Sequence, residues 1–231
     1  MKSRTCTSTL SLLLALGGLR IAAPGPAIAP AGLVDTTGST QMLTLPENVA
    51  LAEWESDGHT RLFQERSGDV LDSNVDVDMS APGEVRHGAL DVVSTTIAAG
   101  TAIDSWFLHQ DKVGDGGHIL TNGSITFDTD ILGIIYMTDS LDATDGLLGA
   151  IGTTYGTGRE EFRGLDFPNG KHDAVSISVD HRTLSYTMLT ADCSDQIRII
   201  TAAVPAPGPL ALILLSGLAS RSRRRRTSGN H

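Results

Sequence analysis

Aromatic residues are scarce in this chain: two Trp, three Tyr and five Phe, 4% of 231 residues. A ligand site built on stacked rings has little to draw on. Cysteine is rarer still. Cys6 lies in a segment read below as removable, which leaves Cys193 alone in the body. A processed body is therefore expected to lack an internal disulfide and to stand on its hydrophobic core. No apolar run reaches the roughly 20 residues of a full membrane span. Basic residues are few outside the ends. Three of the 17 Lys and Arg lie at or before Arg20 and five at or after Arg221, and none of the 27 acidic residues lies in either end. The body between them holds nine basic against 27 acidic residues, a net charge of −18. Such a surface repels nucleic acid and anionic membranes.

Catalytic signatures are missing as well. The seven histidines, His59, His87, His109, His118, His172, His181 and His231, form neither H-x-x-x-H nor H-E-x-x-H, so no helical zinc site is written locally. There is no G-x-S-x-G elbow and no Gly-rich phosphate loop. His109 and Asp111 share a face by strand period and read as a hydrogen-bonded surface pair. No nucleophile or acid–base residue is nominated, and the chain reads as a non-enzyme. The alternative is a secreted glycosidase-like hydrolase with paired carboxylates, whose spacing is set by the fold rather than by local sequence.

What is present begins with the N-terminus. Lys2 and Arg4 precede an apolar stretch, Leu10 to Leu19, and then a small-residue, Pro-rich segment ending near Ala31. This order predicts a signal peptide over 1–31 and an exported chain. Residues 32–203 follow as one body domain, with no internal repeat or linker.

The body reads as all-β. Ala174 to Val179 alternates apolar residues with Ser, and Leu184 to Leu189 does so on the next run. Asp180, His181 and Arg182 between them predict a hairpin. Asn122-Gly123 between two apolar–polar runs predicts another. Ile131 to Tyr136 reads as a strand buried on both faces, and Ile197 to Thr201 closes the body. Further strands are expected at Val49–Trp54, Thr60–Glu65 and Ile103–His109. Only Ser140 to Leu148 suggests a helix, capped by Ser140 or Asp142. Many short strands with Gly and Asp turns predict a β-sandwich or jelly roll.

One local constellation invites a ligand. Asp72, Asn74, Asp76 and Asp78 recur with period two. In a loop their oxygens could surround a hard cation such as Ca²⁺. Val77 and Gly83 stand where an EF-hand needs its turn glycine and its bidentate Glu. The preferred reading is a solvated sheet face with Val75 and Val77 turned to the core. No other cofactor is implied.

The C-terminus carries the most specific pattern. Val204-Pro205-Ala206-Pro207 breaks regular structure. An apolar run from Leu210 to Ala219 follows, then Arg221 and the cluster Arg223, Arg224, Arg225 and Arg226. Arginines are costly to move through a bilayer and favour the cytoplasmic side. This tail resembles the PEP-CTERM sorting signal of exported bacterial proteins, with Ala206 where that family carries Glu. The resemblance assigns 204–226 as a sorting segment with a short hydrophobic helix and 227–231 as a disordered tail. It implies transient anchoring at the inner membrane and processing by an exosortase-like enzyme in a Gram-negative envelope. The destination it implies is the cell surface or the extracellular medium, alongside exopolysaccharide. The body resembles a domain found upstream of such tails. That likeness rests on Gly123 to Asp128, Ile131-Leu132-Gly133, Leu141, Asp145, Leu148-Gly149, Arg163-Gly164-Leu165 and Asp195 to Thr201. It implies a β-sandwich of unassigned role, such as an extracellular matrix, adhesion or carbohydrate-binding module.

Overall fold

The computed structural model describes residues 30–86, 94–157, 162–165 and 172–204. The described chain is mostly strand. In order it forms β1 (Leu33–Gly38), β2 (Thr40–Met42), β3 (Thr60–Val70), β4 (Val75–Val77), β5 (Gly83–Arg86), β6 (Thr95–Ile97), β7 (Ala102–Gln110), β8 (Ile119–Phe127) and β9 (Ile131–Ile135). Helix α1 (Thr138–Leu148), β10 (Ala174–Ile177), β11 (Thr183–Thr190) and β12 (Asp195–Ala202) follow.

Two five-stranded sheets stack on each other. The first has the order β1-β8-β11-β10-β5, with every neighbouring pair antiparallel. The second has the order β2-β3-β7-β12-β9, antiparallel except for the parallel β2–β3 pair. A short β4–β6 ribbon stands apart. The all-β expectation holds.

The first sheet turns Ile125, Phe127, Val175, Ile177, Leu184, Tyr186 and Met188 inward. These side chains meet Leu62, Trp106, Leu108, Ile197 and Ile199 of the second sheet. Trp106 and Phe127 touch across the interface with ring centroids 5.4 Å apart. Burying each large apolar side chain contributes about 1.5–3 kcal/mol. The opposite face of the second sheet is covered too. Phe63, Ile103, Phe107, Ile135 and Ile200 pack beneath Leu141 and Leu148 of α1, beneath Val75, Val77 and Ile97 of the ribbon, and beneath Val49. The second sheet is therefore buried on both faces, while the first has one face toward solvent.

Several sequence expectations meet this architecture directly. The β10–β11 hairpin forms with Asp180, His181 and Arg182 outside both strands. Strand β9 is buried almost throughout, and β12 contains Ile197 to Thr201.

Others are corrected. Asn122-Gly123 is not a turn, because β8 runs straight through it. At this point the chain leaves β1 of the first sheet and enters β2 of the second. A Cβ on Gly123 would lie 2.5 Å from the Thr37 carbonyl and the Thr40 hydroxyl and 2.8 Å from the Tyr186 hydroxyl. The glycine is there for close approach of neighbouring chain, not for reversal. Val49 to Trp54 is a loop rather than a strand, with Ala52 and Trp54 both at positive φ. Helix α1 begins at Thr138, and neither Ser140 nor Asp142 caps it. The carboxylate of Asp78 takes that role from the ribbon, accepting from the Tyr136 and Met137 amides at 2.7 and 2.8 Å and from the Ser140 hydroxyl at 2.8 Å. A remote acceptor thus holds the residues that lead into the helix. Cys193 is disulfide-bonded in the full chain. The expectation of a lone thiol is one for a chain lacking residues 1–31, and in the full chain the structure departs from it.

Candidate functional site

The densest polar constellation lies where polarity is least expected, on the covered face of the second sheet. Glu65 of β3 and Arg198 of β12 have fully buried side chains. They form a two-point pair, Nε to Oε2 at 2.8 Å and Nη2 to Oε1 at 2.9 Å. The strands place them there by alternation. Arg198 shares a face with Gln196 and Ile200, while Ile197 and Ile199 face the other core. The rest of each charged group is then consumed. Ser105 of β7 donates to Glu65 Oε2 at 2.7 Å and Tyr155 donates to Oε1 at 2.6 Å. Arg198 also donates to Thr144 Oγ1 at 2.7 Å and to Asp145 Oδ1 at 2.9 Å, both on α1. Its guanidinium lies 5.1 Å from the Phe107 ring centroid and 5.5 Å from that of Tyr155.

Helix α1 brings a second arginine into the cluster. Arg163, fully buried, reaches Asp145 at 2.8 Å and Asp142 at 3.1 Å. Asp145 therefore bridges the two guanidinium groups. Burial opposes the charge on Arg198, but Glu65 and Asp145 outweigh it and hold its pKa above the ordinary arginine value. Burial, then the Glu65 carboxylate, pushes the Tyr155 phenol well above its usual range. Tyr155 is thus a fixed donor. The arrangement ties three layers together: β3, β7 and β12 below, α1 beside, and the loop carrying Tyr155 above. The donors and acceptors of Glu65 and Arg198 are all met within it, which is the geometry of a clamp.

A second polar region lies at the end of β7. His109 is fully buried and stacks on Trp54, with centroids 5.9 Å apart and planes inclined by 27°. The Gln196 side-chain amide lies 3.0 Å from its Nδ1. Burial lowers the His109 pKa to about 3, opposed by the Glu53 backbone and aided by Arg61. Asp111 is buried as well, and accepts from the Ala52 amide at 2.7 Å. Burial raises its pKa to about 6; the Ala52 amide opposes the shift and Glu55 adds to it. The expected surface pair is thus not formed: each residue is buried and serves a different partner. Together with Arg61, which donates to the Trp54 and Glu55 carbonyls at 2.6 and 2.7 Å, they hold the loop whose Ala52 and Trp54 adopt left-handed backbone.

The structure separates the Asp72–Asp78 stripe. Val75 and Val77 of β4 turn to the core and are buried. Asn74 Oδ1 accepts from the Ala99 amide at 2.9 Å, and Asp76 Oδ1 accepts from the Thr96 hydroxyl at 2.7 Å, both across to the neighbouring β6 region. Asp78 is buried at the start of α1, and Asp72 is exposed at the mouth of a cavity of about 230 Å³ lined also by Arg66, Asp69 and the end of α1. Among the described residues no group of three or more His, Cys, Asp or Glu side chains is gathered in the manner of a metal site. Of the sorting motif, Val204 is half-buried; Pro205, Ala206, Pro207 and Arg223 to Arg226 lie outside the described residues, as does the 1–29 segment. No helix among the described residues is long and apolar enough to cross a membrane.

Sequence reading did not nominate Glu65, Tyr155, Arg163 or Arg198 as a group. One signal lay in the sequence: Arg198 interrupts Ile197, Ile199 and Ile200 in the closing strand, and a charge set among such residues needs a partner if the strand is buried. Leu141, Asp145, Arg163 and Arg198 meet at this clamp. What the fold and the clamp define is an all-β protein whose second sheet is closed on both faces around a buried ionic network. No family model matches the chain, and no curated protein or solved structure was found to match it.

Proposed function

We propose that the chain is an exported, surface-targeted protein of the PEP-CTERM type, with its body displayed outside the cell as a matrix or adhesion module. In this reading the signal peptide directs export. Residues 204–226 then hold the chain at the inner membrane until an exosortase-like enzyme processes the tail. The body is a jelly-roll-like β-sandwich, a reading supported by its two stacked sheets around one shared core.

The observation that carries the proposal is the order of the tail: Pro motif, apolar run, Arg cluster. The fold supports it. The first and last described parts of the body lie together, with Val204 Cγ2 3.5 Å from where a Cβ on Gly32 would sit. The Gly32 carbonyl accepts from the Asp128 amide at 3.0 Å, and the Ala203 amide donates to the Ala102 carbonyl at 3.1 Å. The described chain thus begins and ends at one pole, an arrangement in keeping with two segments directed at one membrane.

Intact-mass measurement on envelope and medium fractions of the native host tests the proposal. The expected mature chain lacks both the N-terminal segment and everything beyond the Pro motif. Replacing Arg223 to Arg226 with Ser should leave the tail uncut. A mature chain that still ends at His231 refutes processing.

A further inference from the structure

The open face of the first sheet is lined by hydroxyl-bearing side chains in register across its strands. Register places Thr37 of β1, Ser124 of β8, Ser185 of β11 and Ser176 of β10 in one row across four strands. The row ends at Glu84 on β5. A second row pairs Thr126 with Thr183, and a third sets Asn122 opposite Thr187. Alternation turns all of these side chains away from the core, which takes Ile125, Leu184, Tyr186, Val175 and Ile177 instead. All are exposed or partly exposed. Adjacent strands lie about 4.8 Å apart, so the first row presents a hydroxyl at about that interval.

Two features make this face unusual for its protein. On a body with a net charge of −18, the interior of the face has no ionisable side chain. Asp35 sits at one margin, and Glu84 and Arg86 at the other. Within the first row the Thr37 and Ser124 hydroxyls bond each other at 2.7 Å, and in the second those of Thr126 and Thr183 do so at 3.1 Å, as cross-strand pairs; Ser185 and Ser176 are the residues that strand propensity, which favours β-branched and aromatic side chains, does not explain.

We propose that this face binds a neutral, hydroxyl-rich polysaccharide. The inference rests on reading the body as an extracellular module and names its ligand class and surface. A hydroxyl both donates and accepts, so a hydroxyl lattice matches a ligand of the same kind without a charge on either side. A nucleic acid finds no basic groups here. A protein partner finds only Leu120 and its neighbour Leu189 as an apolar anchor, too little for the desolvated centre of a stable interface. Each hydroxyl contact is individually weak, and a repeating polymer compensates by engaging many of them.

The test is affinity electrophoresis of the purified full chain in native gels containing a neutral galactomannan, neutral dextran or anionic alginate. The expected result is retardation by at least one neutral polymer and none by alginate. Ser124→Val with Ser185→Val keeps strand-compatible residues on an exposed face. It should weaken retardation about tenfold, the loss of two hydroxyl contacts, with an unchanged melting temperature. Ser124→Thr with Ser185→Thr, which keeps both hydroxyls, should retain binding. Equal retardation of the valine variant overturns the assignment of this face while leaving a carbohydrate-binding module. Retardation by alginate alone, or by none of the three, overturns the neutral-ligand proposal; the sorting reading then stands or falls separately on the intact mass.

Discussion

The two sheets of this protein solve opposite problems. The first has one face in the core and one in water, and its strands alternate accordingly: Leu184, Tyr186 and Met188 inward, Ser185 and Thr187 outward. The second lies between two layers, so its strands β7 and β12 are buried almost end to end. Alternation persists there but changes meaning. One face of β12 carries Ile197 and Ile199 into the shared core, while the other carries Gln196 and Arg198, beside Ile200, beneath the covering layer. The lesson is that burial and apolarity part company in a middle layer. A charge placed there must bring its partners from elsewhere, and Glu65, Asp145 and Tyr155 arrive from three different segments. Polar groups on the open face of the first sheet answer to water; those of the clamp on the second answer to each other.

The comparison predicts very different costs for substitutions of similar size. The largest effect should come from the clamp. Arg198→Ala leaves Glu65 buried without its cationic partner and should destabilise the protein by about 3–5 kcal/mol, read as a fall in the denaturant midpoint. A loss below about 1 kcal/mol would show that the covering layer opens to water and that the two sheets differ less than their burial implies.

Next comes a site at which the first sheet is as unforgiving as the second. Gly123→Ala forces a Cβ against the Thr37 carbonyl and the Tyr186 hydroxyl. It should cost about 1–3 kcal/mol, as overpacking does. A neutral outcome in thermal melts would mean that the β1-to-β2 crossing is looser than described.

A third contrast lies within the end of β7 and can be drawn with pH. The folded pKa of His109, about 3, lies below its unfolded value. Its contribution is complete above about pH 6.5 and is lost as pH falls. The folded pKa of Asp111, about 6, lies above its unfolded value, so the folded state gains stability as pH falls through about 6 toward 4. Going from about pH 7.5 to 5, linkage gives a loss of about 2 kcal/mol from His109 and a gain of about 1 kcal/mol from Asp111. Asp111→Asn should therefore steepen the loss of stability on acidification. His109→Gln should turn it into a small gain. Urea titrations at the two pH values decide this, and parallel behaviour of both variants and the parent would refute the opposed titrations.

The smallest effect belongs to the open face. Ser176→Val should change stability by no more than about 0.5 kcal/mol. A larger loss would mean that the hydroxyl row is a structural element, which would remove the ground for assigning it to a ligand.

The sequence by itself determined the all-β class, the β10–β11 hairpin, the doubly buried β9, and the turning of Val75 and Val77 to the core. Each is written in local periodicity, which the pleat converts directly into faces. It also placed a closing strand at Ile197 to Thr201, without marking Arg198 within it as a buried charge. Only the tertiary structure decided the rest. Asn122-Gly123 carries a turn signal, yet what fixes Gly123 is the approach of Thr37, Thr40 and Tyr186. Val49 to Trp54 has the hydrophobicity of a strand because Val49 lies over the second core, while left-handed Ala52 and Trp54 forbid the strand itself. The start of α1 is satisfied by Asp78, about sixty residues earlier in the chain, and the clamp joins Glu65, Ser105, Asp145, Tyr155, Arg163 and Arg198. Pairings of that separation leave no local period, because they are set by which strands neighbour each other in a sheet and which layer covers it.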